Sequence, residues 1–188
     1  MSYYTKQELD DLGFRKVGKN VKVSKQASIY NYERITLGDN SRIDDFCVVS
    51  GLVSIGAYVH LAPYCLVAGG ELGVDLQDFS GLAYRVSIFS QSDDYSGMSL
   101  TNPNIPRIFK KEAFKSVNVG KHSIIGTGTV VMPGAHIAEG VAIGAMSLVR
   151  KPTEAWTIYS GNPLRRICSR KQDLLELEAQ FLATLQKL

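Results

Sequence analysis

The sequence predicts a mainly β protein, a parallel β-helix of stacked triangular coils, and three observations support this. An aliphatic residue returns at every sixth position through most of the chain. In the best stretch, from Val119 to Val149, a small or β-branched residue follows each of the first five aliphatics by four positions. A period of six fits neither an amphipathic helix nor a simple alternating strand, and it is typical of hexapeptide β-helices.

The aliphatic residues that open the hexads fall into four registers. Three hexads per triangular coil predict about six coils, and at about 4.8 Å per stacked strand the prism would be roughly 25–30 Å tall. The aliphatics are Val17, Val23 and Ile29, then Leu37, Ile43, Val49, Ile55, Leu61 and Val67, then Leu76, Leu82 and Ile88, and finally Val119, Ile125, Val131, Ile137, Ile143 and Val149.

The segments outside the repeat predict two caps and one excursion within a single domain. Thr5 and Glu8 form a capping-box pattern that opens a short N-terminal helix. Apolar residues return at mostly helical spacing near the C-terminus, which predicts an amphipathic helix. A long segment without the repeat is uncommon inside a compact domain and tends to be functional. The predicted parts are a helical cap at 1–16, coils at 17–88 and 117–154, an excursion loop at 89–116 and a C-terminal helix at 168–188.

The composition excludes several classes of protein. The net charge of +3 is too small to favour nucleic-acid binding, and no apolar run is long enough for a membrane span. The first residues lack the basic start and apolar stretch of a signal peptide. Cys47 and Cys65 occupy small-residue positions of their hexads, so we expect reduced packing residues in a cytoplasmic protein.

The C-terminal half resembles the hexapeptide-repeat acetyltransferases, the galactoside, maltose and xenobiotic acetyltransferase group. The matching strings are VMPG at 131–134, IGAMSLV at 143–149, KP at 151–152 and SGNPLRRI at 160–167. Three further strings, YTKQELDDLGF, VHLAPYCLVAGG and SIFSQSDDYSG, are most similar to acyltransferases of bacterial surface-sugar pathways.

The resemblance implies a left-handed coil, a homotrimer, and acetyl-CoA in a groove between adjacent prisms. It also implies direct transfer of the acetyl group to an acceptor sugar, without an acyl-enzyme and without a metal. A hydroxyl acceptor needs a catalytic base more strongly than an amine does. Since the excursion of this chain lacks the histidine that the family uses as base, we expect an amino or deoxy sugar, free or nucleotide-linked, from surface polysaccharide synthesis. O-acetylation of a simple galactoside-type sugar is the alternative.

The catalytic base is the open point of the resemblance. The family uses a histidine in the excursion, and the corresponding string here, SQSDDYSG, has none. His60 is the candidate base, because a histidine pKa near 6.5 suits this role. Asp93 and Asp94 could orient His60, bind an amino-sugar ammonium or act as the base, or they could form an Asx turn. We expect His122 and His136 to be packed or solvated corner residues.

The residues expected to bind CoA follow from the C-terminal match. The pantetheine arm would run past small residues that permit close backbone approach, and basic residues would meet the phosphates. The pantetheine group is Gly126, Thr127, Gly144, Ala145 and Ser147, the phosphate group is Lys151, Arg165 and Arg166, and the adenine end is shaped by Asn162 and Pro163. Turn geometry and coil packing also explain the small residues.

Two functions of other classes are possible on this fold. A γ-carbonic-anhydrase-like protein would need three zinc-binding histidines, and the three present are separated by 62 and 14 positions, which fits no shared site. A non-catalytic trimeric scaffold would not need the GNP string or the basic cluster around it. We therefore expect an enzyme without a metal.

Overall fold

The computed structural model describes residues 2–185, which form a parallel β-solenoid of about seven turns between two helices. Three sheets make the sides of a triangular prism. The first sheet contains β1 (Lys16–Val17), β4 (Ile35–Leu37), β7 (Val53–Ile55), β10 (Val74–Leu76), β15 (Val117–Val119) and β18 (His136–Ile137). The second contains β2 (Lys22–Val23), β5 (Arg42–Ile43), β8 (His60–Leu61), β11 (Gly81–Leu82), β16 (Ile124–Ile125), β19 (Ala142–Ile143), β21 (Thr157–Ser160) and β22 (Arg165–Ser169). The third contains β3 (Ser28–Tyr30), β6 (Val48–Ser50), β9 (Leu66–Ala68), β12 (Ser87–Phe89), β17 (Val130–Val131) and β20 (Leu148–Val149).

The hexad aliphatics form the core, as the sequence predicts. One strand from each sheet makes a coil. The strand pairing within each sheet brings each aliphatic directly onto its equivalent in the next coil. Leu37 pairs with Ile55, and Ile55 with Leu76. Every hexad aliphatic except Val17, at the open end of the stack, is buried. The six complete coils are confirmed, and β21 adds one strand of a seventh, so the coil stack extends past the predicted end at residue 154.

The corner between the first and second sheets carries one residue with positive φ in every coil. Such a conformation is unfavourable for residues other than glycine. The tight turn from a strand of the first sheet to the next strand in the second sheet imposes it here. The members are Asn20, Asn40, Tyr58, Phe79, His122, Gly140 and Trp156. The rings in the middle of this row stack along the corner, with Tyr58 on Phe79 at 4.8 Å and Phe79 on His122 at 5.3 Å between ring centroids.

Two helices lie at the ends of the chain. Helix α1 (Lys6–Asp11) has the predicted capping box, because Thr5 Oγ1 accepts from the Glu8 amide and the Glu8 carboxylate accepts from the Thr5 amide. Helix α2 spans Leu174–Leu185, so the predicted start at 168 is wrong. Residues 168 and 169 belong to β22, whose antiparallel pairing with β21 overrides the helical pattern. The predicted residues 186–188 lie outside the described residues.

Helix α2 packs on the stacked corner rather than over the end of the prism. Phe181 makes edge contacts with the rings of Tyr58 and Phe79. Glu178 lies 2.6 Å from Lys121 Nζ and 2.9 Å from His122 Nε2. Neither α1 nor α2 has the length and apolar character that crossing a bilayer requires.

The excursion leaves the prism after β12 and returns at β15, so it spans 90–116 rather than 89–116. It is more ordered than the sequence suggests. Its two ends pair as an antiparallel ribbon of β13 (Gln91–Ser92) and β14 (Ala113–Phe114), and a 3-10 turn occupies Arg107–Phe109. The ribbon forms because the excursion must leave and re-enter the stack at neighbouring coils. Another 3-10 turn, Tyr32–Arg34, accounts for the two-residue shift after Ile29.

Glycine is required where adjacent coils touch. A Cβ on Gly126 would lie 2.5 Å from the Ala145 amide nitrogen, and one on Gly144 would lie 2.5 Å from Ser160 Oγ. Neither glycine has positive φ, so the close approach of the next coil is the reason for glycine at both positions. Gly81 differs, because a Cβ there would meet nothing within 4 Å.

We predict that Gly126→Ala destabilises the fold, because a rigid backbone amide opposes the added methyl group. The expected loss in the free energy of unfolding is about 1–3 kcal/mol, the usual cost of overpacking. Chemical denaturation of purified protein measures it. Gly81→Ala is the matched control and should change the free energy of unfolding by less than about 0.5 kcal/mol. Equal losses in the two variants would contradict this account of coil contact.

Candidate functional site

A cavity of about 640 Å³ lies between the excursion and the outer face of the third sheet. We call it the excursion cavity. Its apolar wall comes from outward-facing residues of β12 and β17 and from the excursion, and its polar wall comes from the excursion ribbon and its neighbours. The apolar lining is Phe89, Tyr95, Pro103, Val130 and Met132, and the polar lining is Gln91, Ser92, Asp93, Lys110 and Glu112.

The two candidate aspartates have different surroundings. Asp93 lines the excursion cavity. Asp94 forms the Asx turn that the sequence left open, since its Oδ1 accepts from the Ser96 amide at 2.9 Å and its Oδ2 accepts from Ser99 Oγ at 3.0 Å. The hydrogen bonds from Ser96 are the main reason that the pKa of Asp94 is lowered. Asp94 thus shapes the loop that carries Asp93.

A second cavity, of about 550 Å³, lies at the C-terminal end of the same sheet face. We call it the terminal cavity. Three of the predicted CoA residues line it, namely Lys151, Asn162 and Pro163. Arg150 adds a second positive charge, and Leu148, Pro152, Tyr159 and Leu164 complete the lining. Two cations with no carboxylate in the lining make this cavity suitable for a polyanionic group.

The two cavities meet on the outer face of the third sheet. Val130 lines the excursion cavity and Leu148 lines the terminal cavity. These residues are direct register partners in β17 and β20. An apolar strip therefore connects an acidic cavity to a basic one along the direction of coil stacking. A long ligand with a charged end could span both.

The predicted pantetheine residues lie at the corner beside this strip, and three of them have packing roles. Gly126 and Gly144 face the next coil, as described above. The side chain of Ser147 is buried and bonded on both sides, donating to the Gly144 carbonyl at 2.7 Å and accepting from the Gly161 amide at 2.9 Å. Thr127 and Ala145 are exposed at the corner. These last two leave the most accessible surface for a ligand, while Gly126 and Gly144 are half-buried.

The structure does not place Arg165 and Arg166 in the lining of the terminal cavity. Both lie on β22, which folds back antiparallel to β21. Arg166 lies near Glu154, with 3.8 Å between Nε and Oε2, and donates to Ser169 Oγ at 3.2 Å. The sequence pattern could not reveal this reversal of the chain after Pro163. Arg150 takes the place that was expected for them.

His60 lies on the outer face of the second sheet, in β8. Its Nε2 is 2.8 Å from Oδ2 of Asp44, and its side chain is 47% exposed. Asp44 is only 2% exposed, and it also accepts from Arg42 at 2.6 Å and from the Tyr3 hydroxyl at 3.1 Å. The buried carboxylate therefore holds the imidazole ring in a fixed orientation.

The charge of Asp44 is stabilised by these donors. Burial by itself raises the pKa of the carboxyl, but the hydrogen bonds from Arg42 and His60 outweigh burial and lower the pKa below its ordinary value. Sequence reasoning missed Asp44 and Arg42. The signal was present, because Arg42 precedes His60 by one coil of eighteen residues and is its direct register partner.

The three histidines lie on different parts of the prism. His122 is buried at the first corner against Glu178, as expected for a packed corner residue, whereas His136 is exposed on a strand of the first sheet rather than at a corner. Within residues 2–185 no group of three or more His, Cys, Asp or Glu side chains is arranged to hold a metal ion. One chain also does not bring His60 together with Asp93, since the two belong to different faces.

Comparison with known proteins identifies the family. The chain is 41% identical to the dTDP-4-amino-4,6-dideoxy-D-glucose acyltransferase of Escherichia coli over 184 residues, which cover 96% of this chain and 95% of that protein. The chain belongs to the hexapeptide-repeat acyltransferase family. No family model matches the sequence.

Solved structures agree with this assignment. AntD, an N-acyltransferase from Bacillus cereus solved with dTDP and 3-hydroxybutyryl-CoA, has a TM-score of 0.96 and 45% identity, with 98% of each chain covered. A single-residue variant of AntD, solved with dTDP-4-amino-4,6-dideoxyglucose and coenzyme A, has a TM-score of 0.96 and 46% identity, with 97% of this chain and 98% of that chain covered. The predicted family, fold and enzyme class of this acyltransferase are confirmed, and the scaffold alternative is wrong.

We predict that Asp44→Asn lowers the free energy of unfolding at neutral pH by roughly 2–3 kcal/mol, because hydrogen bonds to a buried carboxylate are lost. The native pKa of Asp44 is lowered, so its contribution is complete above the unfolded value of about 3.9 and is lost as pH falls through the native value. The difference between wild type and variant should therefore shrink below about pH 4. Denaturant unfolding at several pH values measures this.

The exposed residue Glu139 provides the control for that series. Glu139→Gln should stay within about 0.5 kcal/mol of wild type at each pH, because its side chain is exposed and lies outside both helices. A difference between wild type and Asp44→Asn that stays constant from pH 7 to pH 2 would show that the charge of Asp44 does not stabilise the fold.

Proposed function

We propose that this enzyme transfers the acyl group of an acyl-CoA directly to the amino group of a nucleotide-linked 4-amino-4,6-dideoxy sugar. The observation that carries the proposal is the continuous outer face of the third sheet. A basic cavity at one end suits the phosphates of CoA, and a cavity with carboxylates at the other suits an amine. The Escherichia coli dTDP-4-amino-4,6-dideoxy-D-glucose acyltransferase and the AntD complex with dTDP-4-amino-4,6-dideoxyglucose support the same acceptor.

CoA would lie along this face. Arg150 and Lys151 in the terminal cavity would hold its phosphates, with Asn162 and Pro163 beside the adenine end. The pantetheine arm would follow the apolar strip of Leu148 and Val130 past the exposed corner residues Thr127 and Ala145. Acetyl-CoA is the simplest donor, and the bound donor in AntD is 3-hydroxybutyryl-CoA.

The reaction in the excursion cavity would be a direct aminolysis of the thioester. The sugar nitrogen forms a bond to the acyl carbon, the carbon–sulfur bond breaks, and CoA leaves as the thiol after the nitrogen gives up a proton. Asp93 would accept a hydrogen bond from the amino group and orient its lone pair toward the thioester. Asp94 would fix the turn that presents Asp93.

His60 would take the proton, supplied by a neighbouring copy in a homotrimer. His60 belongs to the third coil and the excursion cavity to the fourth and fifth, so their heights along the prism differ by about one or two coil spacings, roughly 5–10 Å. They lie on different faces of one chain, and prisms standing parallel around a threefold axis would place one face against the other. Asp44 would hold the imidazole in position.

The same relatives and the cysteines support a proposal for the setting of the reaction. Cys47 and Cys65 are buried and unpaired, as suits a reducing compartment. A cytoplasmic enzyme that acylates a nucleotide-linked sugar would supply a modified unit for surface polysaccharide synthesis.

We predict that the enzyme releases free thiol from acetyl-CoA or 3-hydroxybutyryl-CoA only when dTDP-4-amino-4,6-dideoxyglucose is present. Asp93→Asn and Asp94→Ala should each lower kcat/KM by roughly 10²-fold, the first by removing the amine's acceptor and the second by releasing the turn. A thiol-reactive dye follows the rate, and mass spectrometry identifies the acylated sugar.

The control for those variants is Asp75→Ala on the first sheet, where Asp75 pairs with Asn118 away from the excursion. Its kcat/KM should stay within about twofold of wild type, since no part of the proposed site depends on it. Thiol release that does not depend on the amino sugar would refute the proposed acceptor.

We predict that His60→Ala lowers kcat by roughly 10²-fold while leaving CoA affinity unchanged, as expected for loss of a general base. His136→Ala, which removes an exposed histidine from another sheet, should leave kcat unchanged. Steady-state kinetics and a calorimetric CoA titration separate the two quantities. A wild-type kcat for His60→Ala would exclude His60 as the base.

Mixed trimers test whether His60 acts between copies. Unfolding and refolding His60→Ala together with Asp93→Asn would give some interfaces with both intact residues, if each site takes them from different chains. Activity should then rise above that of either variant alone. No rise in trimers shown to be mixed would contradict the intersubunit arrangement.

A further inference from the structure

The excursion carries a buried ion pair in the wall of its cavity. Lys110 Nζ lies 3.2 Å from Glu112 Oε1, and the two side chains are only 8% and 9% exposed. Gln91 Nε2 donates to the same Glu112 oxygen at 3.1 Å. All three residues line the excursion cavity. Most other parts of the excursion are exposed, so this degree of burial sets the pair apart.

Buried charges are costly unless their hydrogen-bonding capacity is used. Removing an ion from water costs several kcal/mol, which a partner offsets only with good geometry and further hydrogen bonds. An ammonium has three donors and a carboxylate about four acceptor sites. Among residues 2–185, Glu112 is the single ion-pair or hydrogen-bond partner of Lys110 Nζ, and Glu112 Oε2 has no hydrogen-bond partner. Lys110 thus has donors, and Glu112 an acceptor, that are left without a protein partner at the cavity wall.

The charges of the wall select the ligand group. Lys110 contributes one positive charge, and Glu112 and Asp93 contribute two negative ones. A phosphate would be attracted by the Lys110 ammonium but repelled by both carboxylates. A sugar hydroxyl fits better, because its oxygen accepts from an ammonium while its hydrogen donates to a carboxylate. The opposite wall, with Phe89, Val130 and Met132, suits the apolar face of a deoxy sugar ring.

We infer that the Lys110–Glu112 pair recognises the ring hydroxyls of the acceptor sugar and so determines acceptor specificity. This inference rests on the proposed function, since it places the acceptor in the excursion cavity. Asp93 then faces the amino group, and the ion pair holds the ring from the adjacent hydroxyl positions. Replacing a ring hydroxyl by hydrogen leaves a buried charge without its partner, which is the most effective way for a site to reject an analogue.

The test compares dTDP-4-amino-4,6-dideoxyglucose with analogues that lack one remaining ring hydroxyl. Hydrogen bonds to charged groups contribute about 1.5–3 kcal/mol, or roughly 10–150-fold. The wild-type enzyme should prefer the complete sugar in kcat/KM by a factor in this range for at least one hydroxyl position. Glu112→Gln and Lys110→Met should reduce that preference to less than about threefold while CoA affinity stays unchanged, and Lys110→Arg should retain part of it.

Two further variants keep the test independent of folding. Lys111→Met removes the exposed neighbouring cation and should keep the full preference. The double variant Lys110→Met with Glu112→Leu removes both charges, a change that buried pairs often tolerate without loss of stability. It should fold, as judged by its melting temperature, and lose the preference. A folded double variant that still prefers the complete sugar would overturn the inference.

Binding measurements separate this inference from the proposed function. Calorimetric titration of the complete sugar nucleotide and its deoxy analogues needs no acyl-CoA. Wild-type protein that binds the complete sugar roughly tenfold or more tightly but transfers nothing would support the ion-pair assignment and refute the proposed reaction. Wild-type protein that acylates both sugars at equal kcat/KM would support the reaction and refute the ion-pair assignment.

Discussion

Contact between successive coils is the constraint on which the rest of this molecule depends. Each coil buries its inward aliphatics only by stacking them on the next coil, as Leu37, Ile55 and Leu76 show in the first sheet. The stack brings backbones so close that Gly126 and Gly144 cannot carry a Cβ. Since each coil contacts mainly its neighbours, stability is distributed along the prism and the two ends need caps.

The same constraint leaves the outer faces free for function. Because alternate residues of a strand point to opposite sides, Val131 and Val149 belong to the core while Val130 and Leu148 lie outside. The excursion covers part of that outer face and closes a cavity against it. Binding groups are thus carried by a face whose backbone is already held rigid by the core, which suits the alignment of two substrates.

Buried charged residues fix the orientation of the charged side chains on these faces. Asp44 is buried and holds His60 through the contact with its Nε2 atom. Lys110 and Glu112 are buried in the excursion wall. In both places a charge removed from water needs neighbours with definite geometry. Asp44 has all of them within the chain, from Arg42, His60 and Tyr3. The Lys110–Glu112 pair does not, which is why we assign it a ligand.

The six-residue period by itself determined the prism, its six coils and the position of the excursion, because core burial leaves a periodic trace in a sequence. The matching C-terminal strings gave the family and the enzyme class. Only the tertiary structure decided which polar residues meet. It turned β22 back and so removed Arg165 and Arg166 from the terminal cavity, and it placed Arg150 there. It gave Asp93 a place in the cavity lining and Asp94 a place in a turn, and it paired Lys110 with Glu112. Loop conformation and side-chain pairing depend on contacts between distant or non-repeating segments, which follow no period.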